Sequence, residues 1–473
     1  MAAPVGLGAV QSELENCECA SKQTEAHVDT ASQSDVHWGV FSACSSSPEL
    51  TRTAGSLSHI KVESISAGAS FSVALTDEGR VFTWGDNEWG QLGLGAPRSV
   101  ELTRTSVDTP HHVEGLEDCI DVSAGHSHVL AILKTGECYA WGCGSQGRLG
   151  LGDERARWVP ALVDRLQPEV TLLSKSCHRH VQLARAGAMH SAALVRRQPL
   201  TGEAAVWCYT WGCGKSGRLG HGDERNQLRP KRVRQLATTD ASTGEGEDFR
   251  LAIGTVSEAS TRKSQNLCGL SLGGAHTTVI NAEGSLFTFG DNSFFQLGNN
   301  KAVDSHAPIA IPNPIPGAKW FTVAAGTFHT AAVVLHDDQP ANNGSVFFWG
   351  GCGSQANAWM RRPHQIRSQP SGLFLQASTC PVSSLTHDHP WPQSLKLSSG
   401  WESTLLVDDE GVLRALGTKG EPCHLSDVVV PDCFAPRKQE EHGTAEAEER
   451  RQRVCVCAVA AGCAHIVAVG RLK

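Results

Sequence analysis

Hydrophobic and polar positions alternate in one stretch of the chain that recurs along its length. In residues 65–95, ISAGASFSVALTDEGRVFTWGDNEWGQLGLG, the side chains Phe71, Val73 and Leu75 alternate with smaller or polar ones. This period of two predicts a strand with one buried face. The Asp-Glu-Gly that follows predicts a hairpin turn, and Val-Phe-Thr-Trp beyond it predicts a second strand. Because a two-stranded hairpin is marginally stable alone, the unit is expected to pack against others of its kind.

Further copies of this unit follow in order. They begin near Val122, Ala184, Leu270, Val323, Leu397 and Val459. The last copy lacks its second strand, and the segment Asp35-Val-His-Trp-Gly39 near the N-terminus has the missing pattern. The pattern therefore predicts an all-β fold, a seven-bladed β-propeller closed by pairing of the N-terminal strand with the C-terminal blade. Closure of this kind removes the exposed sheet edge that favours aggregation.

Several segments do not fit the repeat. Residues 1–34 are rich in Ser, Gln, Ala and Glu, which predicts a disordered N-terminal segment. The propeller is then expected to occupy residues 35–473, with insertions at about 196–205, 236–265, 359–392 and 435–453. Long loops on a rigid scaffold either carry function or are simply tolerated, and the sequence leaves both interpretations open.

The charge and the cysteine content limit the expected partners and the expected cellular compartment. The formal net charge is −8, so no overall attraction to nucleic acid is expected. No long apolar run or secretory signal is present, and 17 cysteines without such a signal favour reduced thiols in the cytosol or nucleus. The one compact basic run is RPKRVR, residues 229–234. It is interpreted as a solvated outer strand, with a targeting signal or a patch for an acidic partner as the alternatives.

The repeat unit has a recognisable consensus. It reads G-x-x-H-[ST]-x-x-[LV], then G-x-[VL]-[YF]-x-[WF]-G, then G-[QR]-L-G. It resembles the regulator of chromosome condensation repeat over roughly residues 36 to 470. The resemblance implies a seven-bladed propeller but not a function, because function resides in loops carried by the fold.

Histidine recurs at one position of the repeat, which raises the question of a metal centre. The residues are His128, His190, His276, His329 and His465, with Phe71 and Ser403 at the matching positions of two copies. Each lies on a different predicted blade, whereas metal ligands must converge on one centre. We therefore expect each histidine to hold its own loop through backbone hydrogen bonds. Neither a metal nor another cofactor is predicted.

The resemblance also indicates a binding face. In the exchange-active founding member, the two residues between Gly and His line a face that grips a small GTPase. The matching positions here give a predicted partner face of His126, Thr327, Phe328, Trp401 and Glu402. Phe328 and Trp401 are either anchors of a binding hot spot or residues that pack in the channel.

No nucleophile elbow, phosphate-binding loop or zinc-protease motif occurs, so the expected function is binding. The first hypothesis is a non-catalytic interaction propeller that acts as a regulator or scaffold. The alternative is a guanine-nucleotide exchange factor for a small GTPase, and a second alternative is chromatin binding through Arg155 and Arg225. Proteins are the expected partners, a small GTPase among them, while nucleic acid and membrane are not expected.

Overall fold

The computed structural model describes a large part of the chain. The described residues are 38–44, 51–52, 57, 60–96, 106–166, 179–197, 205–234, 269–281, 284–335, 344–351, 360–365, 396–400, 404–407, 413–416, 425–427, 454–461 and 465–472. All of them belong to the unit His37–Lys473. The predicted disordered segment 1–34 and the predicted insertions 236–265 and 435–453 lie outside the described residues.

The fold is all-β, and its strands pair in four-stranded antiparallel sheets. The first strands are β1 (Trp38–Cys44) and β2 (Thr51–Arg52). Sheet I contains β3 (Val62–Ala67), β4 (Phe71–Thr76), β5 (Val81–Gly85) and β6 (Val107–His112). Sheet II contains β7 (Cys119–Ala124), β8 (His128–Leu133), β9 (Cys138–Gly142) and β10 (Arg157–Leu162). Sheet III contains β11 (Arg179–Ala186), β12 (His190–Arg197), β13 (Ala205–Gly212) and β14 (Gln227–Arg232).

The later sheets repeat this order. Sheet IV contains β15 (Leu270–Leu272), β16 (His276–Ile280), β17 (Leu286–Gly290) and β18 (Ser305–Ile311). Sheet V contains β19 (Lys319–Ala325), β20 (His329–Leu335), β21 (Gly344–Gly350) and β22 (Met360–Gln365). Sheet VI contains β23 (Lys396–Ser399), β24 (Thr404–Val407), β25 (Leu413–Leu416) and β26 (Leu425–Asp427). In sheets I to VI each strand pairs with the next one along the chain.

Sheet VII combines strands from the two ends of the described chain. It contains β27 (Val454–Ala461) and β28 (His465–Leu472), and its strand order is β2-β1-β28-β27. β1 runs antiparallel to β28, with Trp38 opposite Arg471 and Cys44 opposite His465.

The first repeat unit forms the predicted hairpin, but its first strand is more deeply buried than predicted. β4 and β5 pair in register, and Gly79 takes a φ of 79° in the turn between them. All six residues of β4 are buried, including the polar Ser72. The prediction of one buried face is wrong, because β4 is an inner strand of a sheet that other sheets cover on both sides.

Buried apolar side chains lie between consecutive sheets. One cluster joins Phe71 and Leu75 of sheet I to Val129 and Trp141 of sheet II. Similar clusters join sheets II and III, III and IV, IV and V, and VII and I. Burying one Val, Leu or Phe side chain contributes about 1.5–3 kcal/mol. The core is therefore a series of layers, and each sheet depends on its neighbours.

The last strand of each of sheets I to V carries a proline at the same place. These residues are Pro110, Pro160, Pro230, Pro308 and Pro363. In addition, the turn of one sheet covers part of the next sheet's last strand: the amide of Gly95 donates to the carbonyl of Trp158, and that of Gly152 to Leu228. Proline has no N–H to offer a further strand, so these outer edges are blunted.

Two predicted insertions overlap regular strands. Met360–Gln365 is β22, so the sequence-based interval 359–392 wrongly includes the outer strand of sheet V. Likewise Arg196, Arg197 and Ala205 belong to the hairpin strands β12 and β13, so the sequence-based interval 196–205 wrongly includes strand residues at both of its ends. Among the described residues, no helix has the length and apolar character needed to cross a membrane.

Candidate functional site: the histidine network and the loop face

The recurring histidines connect one sheet to the next. His128 Nε2 lies 2.8 Å from Ser191 Oγ, and His190 Nε2 lies 2.9 Å from Thr277 Oγ1. Likewise, the Nε2 atoms of His276 and His329 each lie 2.9 Å from a threonine hydroxyl, on Thr330 and Thr404 respectively. Each ring therefore bonds to a hydroxyl on the following sheet. The expectation that each histidine holds its own loop through the backbone is wrong for these four; the side chain of His465 lies outside the described residues.

The hydroxyl partners fix where the histidine protons are. Ser191 donates its hydroxyl hydrogen to the carbonyl of Arg148 at 2.8 Å, and Thr277 donates to Arg218 at 2.8 Å. A hydroxyl has one hydrogen, so the imidazole Nε2–H must be the donor in the histidine–hydroxyl bond. The Nδ1 atoms of the four rings are buried and have no hydrogen-bond partner. The rings of His128 and His190 therefore carry their proton on Nε2.

Burial sets the ionisation of these rings. It lowers the pKa of His276 to about 4 and that of His329 to about 3. Burial likewise lowers the pKa of His128 and His190 well below the usual range, with the nearby Arg148 and Arg218 guanidiniums adding to the effect. A second proton, bound at Nδ1, would give the buried ring a positive charge and would have no hydrogen-bond acceptor. These residues act as neutral structural connectors.

The glycine of the G-x-x-H motif makes room for the ring. A Cβ on Gly125 would lie 2.4 Å from His128 Cε1 and 2.3 Å from the carbonyl oxygen of Gly187. In sheet I, a Cβ on Gly68 would lie 1.9 Å from Cε1 of Phe71, the residue that replaces histidine there. The motif is thus a steric unit: a ring packs directly on a backbone that has no side chain.

The loops that carry the G-x-x-H motif bond to each other from sheet to sheet. The amide of Ala69 donates to the carbonyl of His126 at 3.0 Å, and that of His126 donates to Gly187 at 3.3 Å. The same bond joins Ala188 to Gly273, Gly274 to Gly326, and Thr327 to Gly400. We call the surface formed by these loops and the turns after the third strands the loop face. It is continuous across sheets I to VI.

The structure places three of the predicted partner-face residues on the loop face. His126 is exposed, with Nδ1 at 2.9 Å from Ser127 Oγ. Thr327 and Phe328 are half-buried. Trp401 and Glu402 lie outside the described residues. The loops thus hold His126 in sheet II and Thr327 in sheet V at the same position of the G-x-x-H motif, and Phe328 at the next position of sheet V.

Two further apolar residues on the loop face were not predicted. Phe294, in the turn after β17, packs on Phe328 with ring centroids 4.6 Å apart. Met189, at the position of Phe328 in sheet III, is 41% exposed. Met189 stands where sheets I, II and IV have Ser70, Ser127 and Ala275, and Phe294 stands where sheets II and III have Gln146 and Ser216. This contrast is the sequence signal that would have identified them. Large apolar side chains at exposed loop positions are typical of binding surfaces.

The turns after the third strand differ between sheets. In sheets I and IV a glutamine closes the turn: Gln91 Nε2 donates to Asp86 Oδ2 at 2.8 Å, and Gln296 donates to Asp291 at 2.8 Å. These two turns carry the large aromatic residues Trp89 and Phe294. They form a rigid base for aromatic side chains, because backbone amides as well as side chains are bonded within the turn.

In sheets II and III an arginine takes the glutamine's place. Arg148 Nη1 donates to the carbonyl of Ala188 at 3.3 Å, and Arg218 Nη1 donates to Gly274 at 3.1 Å. Burial lowers the pKa of both guanidiniums, although arginine remains charged. Each arginine therefore ties its turn to the next sheet's loop. The recurring cysteines of these turns, Cys143 and Cys213, are buried free thiols.

The two arginines considered for chromatin binding lie in exposed turns. Arg155 and Arg225 are exposed, each in a Gly-Asp-Glu-Arg turn. Their amides are held by Asp153 Oδ1 at 2.9 Å and Asp223 Oδ1 at 3.0 Å. Across the described part of the chain, no group of three or more His, Cys, Asp or Glu residues is arranged to hold a metal ion.

The sheets, the interleaved hydroxyl network and the loop face define the class: an all-β repeat protein of the propeller type. Profiles described as "Regulator of chromosome condensation (RCC1) repeat" match residues 78–132, 135–194, 208–252 and 283–333, and a second profile of the same description matches 62–91 and 119–148. The chain belongs to the regulator of chromosome condensation repeat family.

The curated relatives are matched over part of their length. Ultraviolet-B receptor UVR8 of Arabidopsis thaliana is 29% identical over 294 residues, which are 62% of this chain and 53% of UVR8. E3 ubiquitin-protein ligase HERC2 of Homo sapiens is 29% identical over 317 residues, which are 61% of this chain and 6% of HERC2. The chain thus spans about half the length of UVR8 and a small part of HERC2.

Solved structures support the fold. Human WBSCR16 superposes with a TM-score of 0.56 at 16% identity, covering 92% of this chain and 98% of that one. Prp20p of Saccharomyces cerevisiae superposes with a TM-score of 0.55 at 16% identity, covering 93% and 92%. At these identities the likeness concerns the fold alone.

Proposed function

We propose that this protein is a non-catalytic, protein-binding propeller that acts as a regulator or scaffold through its loop face. The observation that carries the proposal is the accessible apolar surface there: Met189 in sheet III is exposed, and half-buried Phe328 of sheet V packs at a tilt on half-buried Phe294 of sheet IV. The hydrogen-bonded loops hold these side chains in place before a partner arrives, so little entropy is lost on binding.

We also propose that the sheets form a closed ring of seven blades. Support comes from the contacts between successive sheets. Sheets VI and VII are joined by the amide of Ala461, which donates to Ser398 Oγ at 3.0 Å. Sheets VII and I share a cluster in which Val467 and Ala460 pack with Ala74 and Trp84. A ring would give the loop face a single continuous perimeter.

The expected cellular setting follows from the thiols. Cys119, Cys138 and Cys208 are buried and unpaired. Burial raises the pKa of each of them to about 12, so they are unreactive toward oxidants. Such residues suit the reducing cytosol or nucleus, and we propose one of these compartments.

The test is partner capture by the tagged full-length chain in cells, read by mass spectrometry. Met189→Asp places a charge at the exposed apolar residue of the proposed surface and is expected to remove most specific partners. Val159→Asp is the matched control, because Val159 is an exposed apolar residue on β10, outside the loop face. If both variants retain the same partners as the wild type, the loop face is not the binding surface.

The alternative function is nucleotide exchange on a small GTPase. It is favoured by exposed His126 on the loop face, and the structure of Prp20p was described together with binding to Gsp1p and histones. This alternative predicts that a GTPase is captured only after nucleotide depletion, and that His126→Ala or Glu402→Ala slows exchange without loss of folding. Capture of the same non-GTPase proteins with and without nucleotide contradicts it. Chromatin binding through Arg155 and Arg225 is the remaining candidate, tested by nucleosome binding across a salt series.

A further inference from the structure

The outer strand of sheet III carries an unusual concentration of positive charge. Residues 227–234, β14 and its extension, contain Arg229, Lys231, Arg232 and Arg234 and no acidic residue. Arg229, Lys231 and Arg234 are exposed. The whole chain has a net charge of −8, so this positively charged strand is opposite in sign to the molecule as a whole. We call it the basic rim.

Acidic residues in the described structure do not neutralise the rim. Within the described residues, no carboxylate lies within 4.0 Å of Arg229, Lys231 or Arg234. The preceding acids are engaged elsewhere: Glu224 Oε1 lies 3.2 Å from His306 Nε2 of sheet IV. The rim therefore presents cations that are available to an external anion.

The strand that carries these cations is firmly anchored. Pro230 and Val233 are buried, and the amide of Val233 donates to the carbonyl of Cys208 at 2.9 Å. Arg232 lies over the ring of Trp207, with its guanidinium carbon 3.9 Å from the ring centroid. A receptor that reads RPKRVR as a free extended peptide would have to unpair β14 and expose these side chains. The anchoring thus argues against the targeting-signal interpretation.

The free edge of β14 does not accept another strand. The carbonyl of Leu228 is already bonded to the amide of Gly152 at 2.9 Å. Pro230, two residues on, has no N–H to donate. A partner must therefore bind the rim through its side chains and not through backbone pairing.

We propose that the basic rim binds an acidic, extended segment of a partner protein. Arg229 and Lys231 are both exposed and flank the buried Pro230, so they present two neighbouring cations to solvent. Closely spaced carboxylates of an extended peptide can pair with both. The arginine guanidinium also matches a carboxylate in a two-pronged hydrogen bond. The rim lies outside the loop face, so this proposal goes beyond the proposed function.

The observations favour a peptide over a nucleic acid. Nucleic-acid affinity comes from neutralising many phosphates, whereas the rim offers few cations on a molecule with a net charge of −8. Base stacking needs an exposed aromatic face, and the face of Trp207 near the rim is covered by Arg232. A short acidic peptide requires neither feature.

The test uses the full chain and a fluorescent peptide of alternating Glu and Ser, with anisotropy measured at about 0.05 M salt, where screening is weak. Arg229→Gln/Lys231→Gln is expected to weaken binding about tenfold, since two partly exposed ion pairs contribute roughly 1–2 kcal/mol together. Val159→Glu/Ala161→Glu is the control. It makes the same change in net charge at the equivalent positions of β10, and it should bind like the wild type.

Each outcome decides the proposal. Loss of binding in the glutamine variant alone supports the basic rim. Equal losses in both variants would mean that overall charge is responsible, and an unchanged affinity in both would place the site elsewhere; either result overturns the proposal. Tighter, rim-dependent binding of a DNA duplex would replace the acidic peptide with nucleic acid as the partner. Because Met189→Asp leaves the rim intact, peptide binding by that variant separates this proposal from the proposed function.

Discussion

At the scale of the residue, the central feature is the contact between a glycine and a ring in G-x-x-H. The ring lies on the glycine backbone and reaches a hydroxyl on the next sheet, while that hydroxyl bonds back to a turn carbonyl. Three separate segments meet at each histidine. One histidine side chain thereby links two sheets, whereas Phe71 at the matching position of sheet I packs on Gly68 without a hydrogen-bonding atom.

Replacing Gly125 with Ala tests this steric unit. The new Cβ would lie 2.3 Å from the carbonyl oxygen of Gly187, so backbone must move. We expect a loss of about 3 kcal/mol in the free energy of unfolding, at the upper end of overpacking effects. Gly115→Ala is the control: its φ is 79° but nothing lies near the new Cβ, so about 1 kcal/mol of backbone strain is expected. Urea unfolding measures both, and equal losses would contradict the steric explanation.

The same histidines predict a loss of stability in mild acid. The pKa of His276 and of His329 is lower in the folded state than the ordinary value of about 6.5 in the unfolded chain. The unfolded state therefore binds more protons below that pH, and stability falls as pH decreases from about 6.5 towards the folded pKa. Each buried ring costs about 1.4 kcal/mol at pH 5.5, or about 6 kcal/mol for four.

Urea unfolding at about pH 7.5 and 5.5 measures this effect. His276→Phe, which copies the natural Phe71 of sheet I, is expected to reduce the loss of unfolding free energy between these pH values by about 1.4 kcal/mol, since one titrating ring is removed. A wild-type stability that is the same at both pH values would show that the rings titrate normally in the folded state.

At the scale of the element, the outer strands are built to remain unpaired. A proline stands at the same place in β6, β10, β14, β18 and β22, and the neighbouring sheet's turn covers the carbonyl nearby. A sheet whose last strand has free N–H and C=O groups would recruit another chain. The prolines thus favour solubility at little cost, because the missing N–H faces away from the sheet.

Substituting two of these prolines tests their role. Pro160→Val/Pro308→Val restores an outward N–H on β10 and β18, and we expect greater self-association with a change in unfolding free energy of less than about 1 kcal/mol. Pro314→Val/Pro316→Val, in the exposed loop after β18, is the control. Light scattering at increasing concentration distinguishes them, and identical curves would count against an edge-protecting role.

The sequence predicted the elements better than their connections. Strands such as β5 and the turn at Gly79 follow from local patterns, because alternation and turn residues act over a few positions. The burial of both faces of β4 and the partner of His190 do not, since the covering sheet and Thr277 come from distant parts of the chain. The contact between Phe294 and Phe328 was not predicted for the same reason, since the two residues are distant in the sequence.

At the scale of the whole molecule, stability depends on contacts between successive sheets. Each sheet buries its apolar residues against the next, so a defect in one sheet exposes the surface of two others. Sheet VII is a special case because its strands come from both ends of the described chain. The pairing of β1 with β28 joins residues more than 400 positions apart in the chain, a contact whose formation carries a high loop-closure cost.

Truncation tests that dependence. Deleting residues 1–34 leaves β1 intact and should leave the thermal midpoint unchanged. Deleting residues 1–44 removes β1 and its whole pairing with β28, so we expect a midpoint lower by about 10 °C or more, or insoluble protein. Differential scanning calorimetry compares the two, and equal midpoints would show that sheet VII does not need its N-terminal strand.

The antiparallel register of β1 and β28 has a consequence for how the gene can be rearranged. Trp38 lies opposite Arg471, so the start of one strand and the end of the other are hydrogen-bonded neighbours. A short turn between them would convert two chain ends into an ordinary hairpin. New ends can then be opened between the paired strands β12 and β13, which end and begin at Arg197 and Ala205. The fold therefore does not require the sheets to be synthesised in their natural order. A circularly permuted chain should reach the same fold.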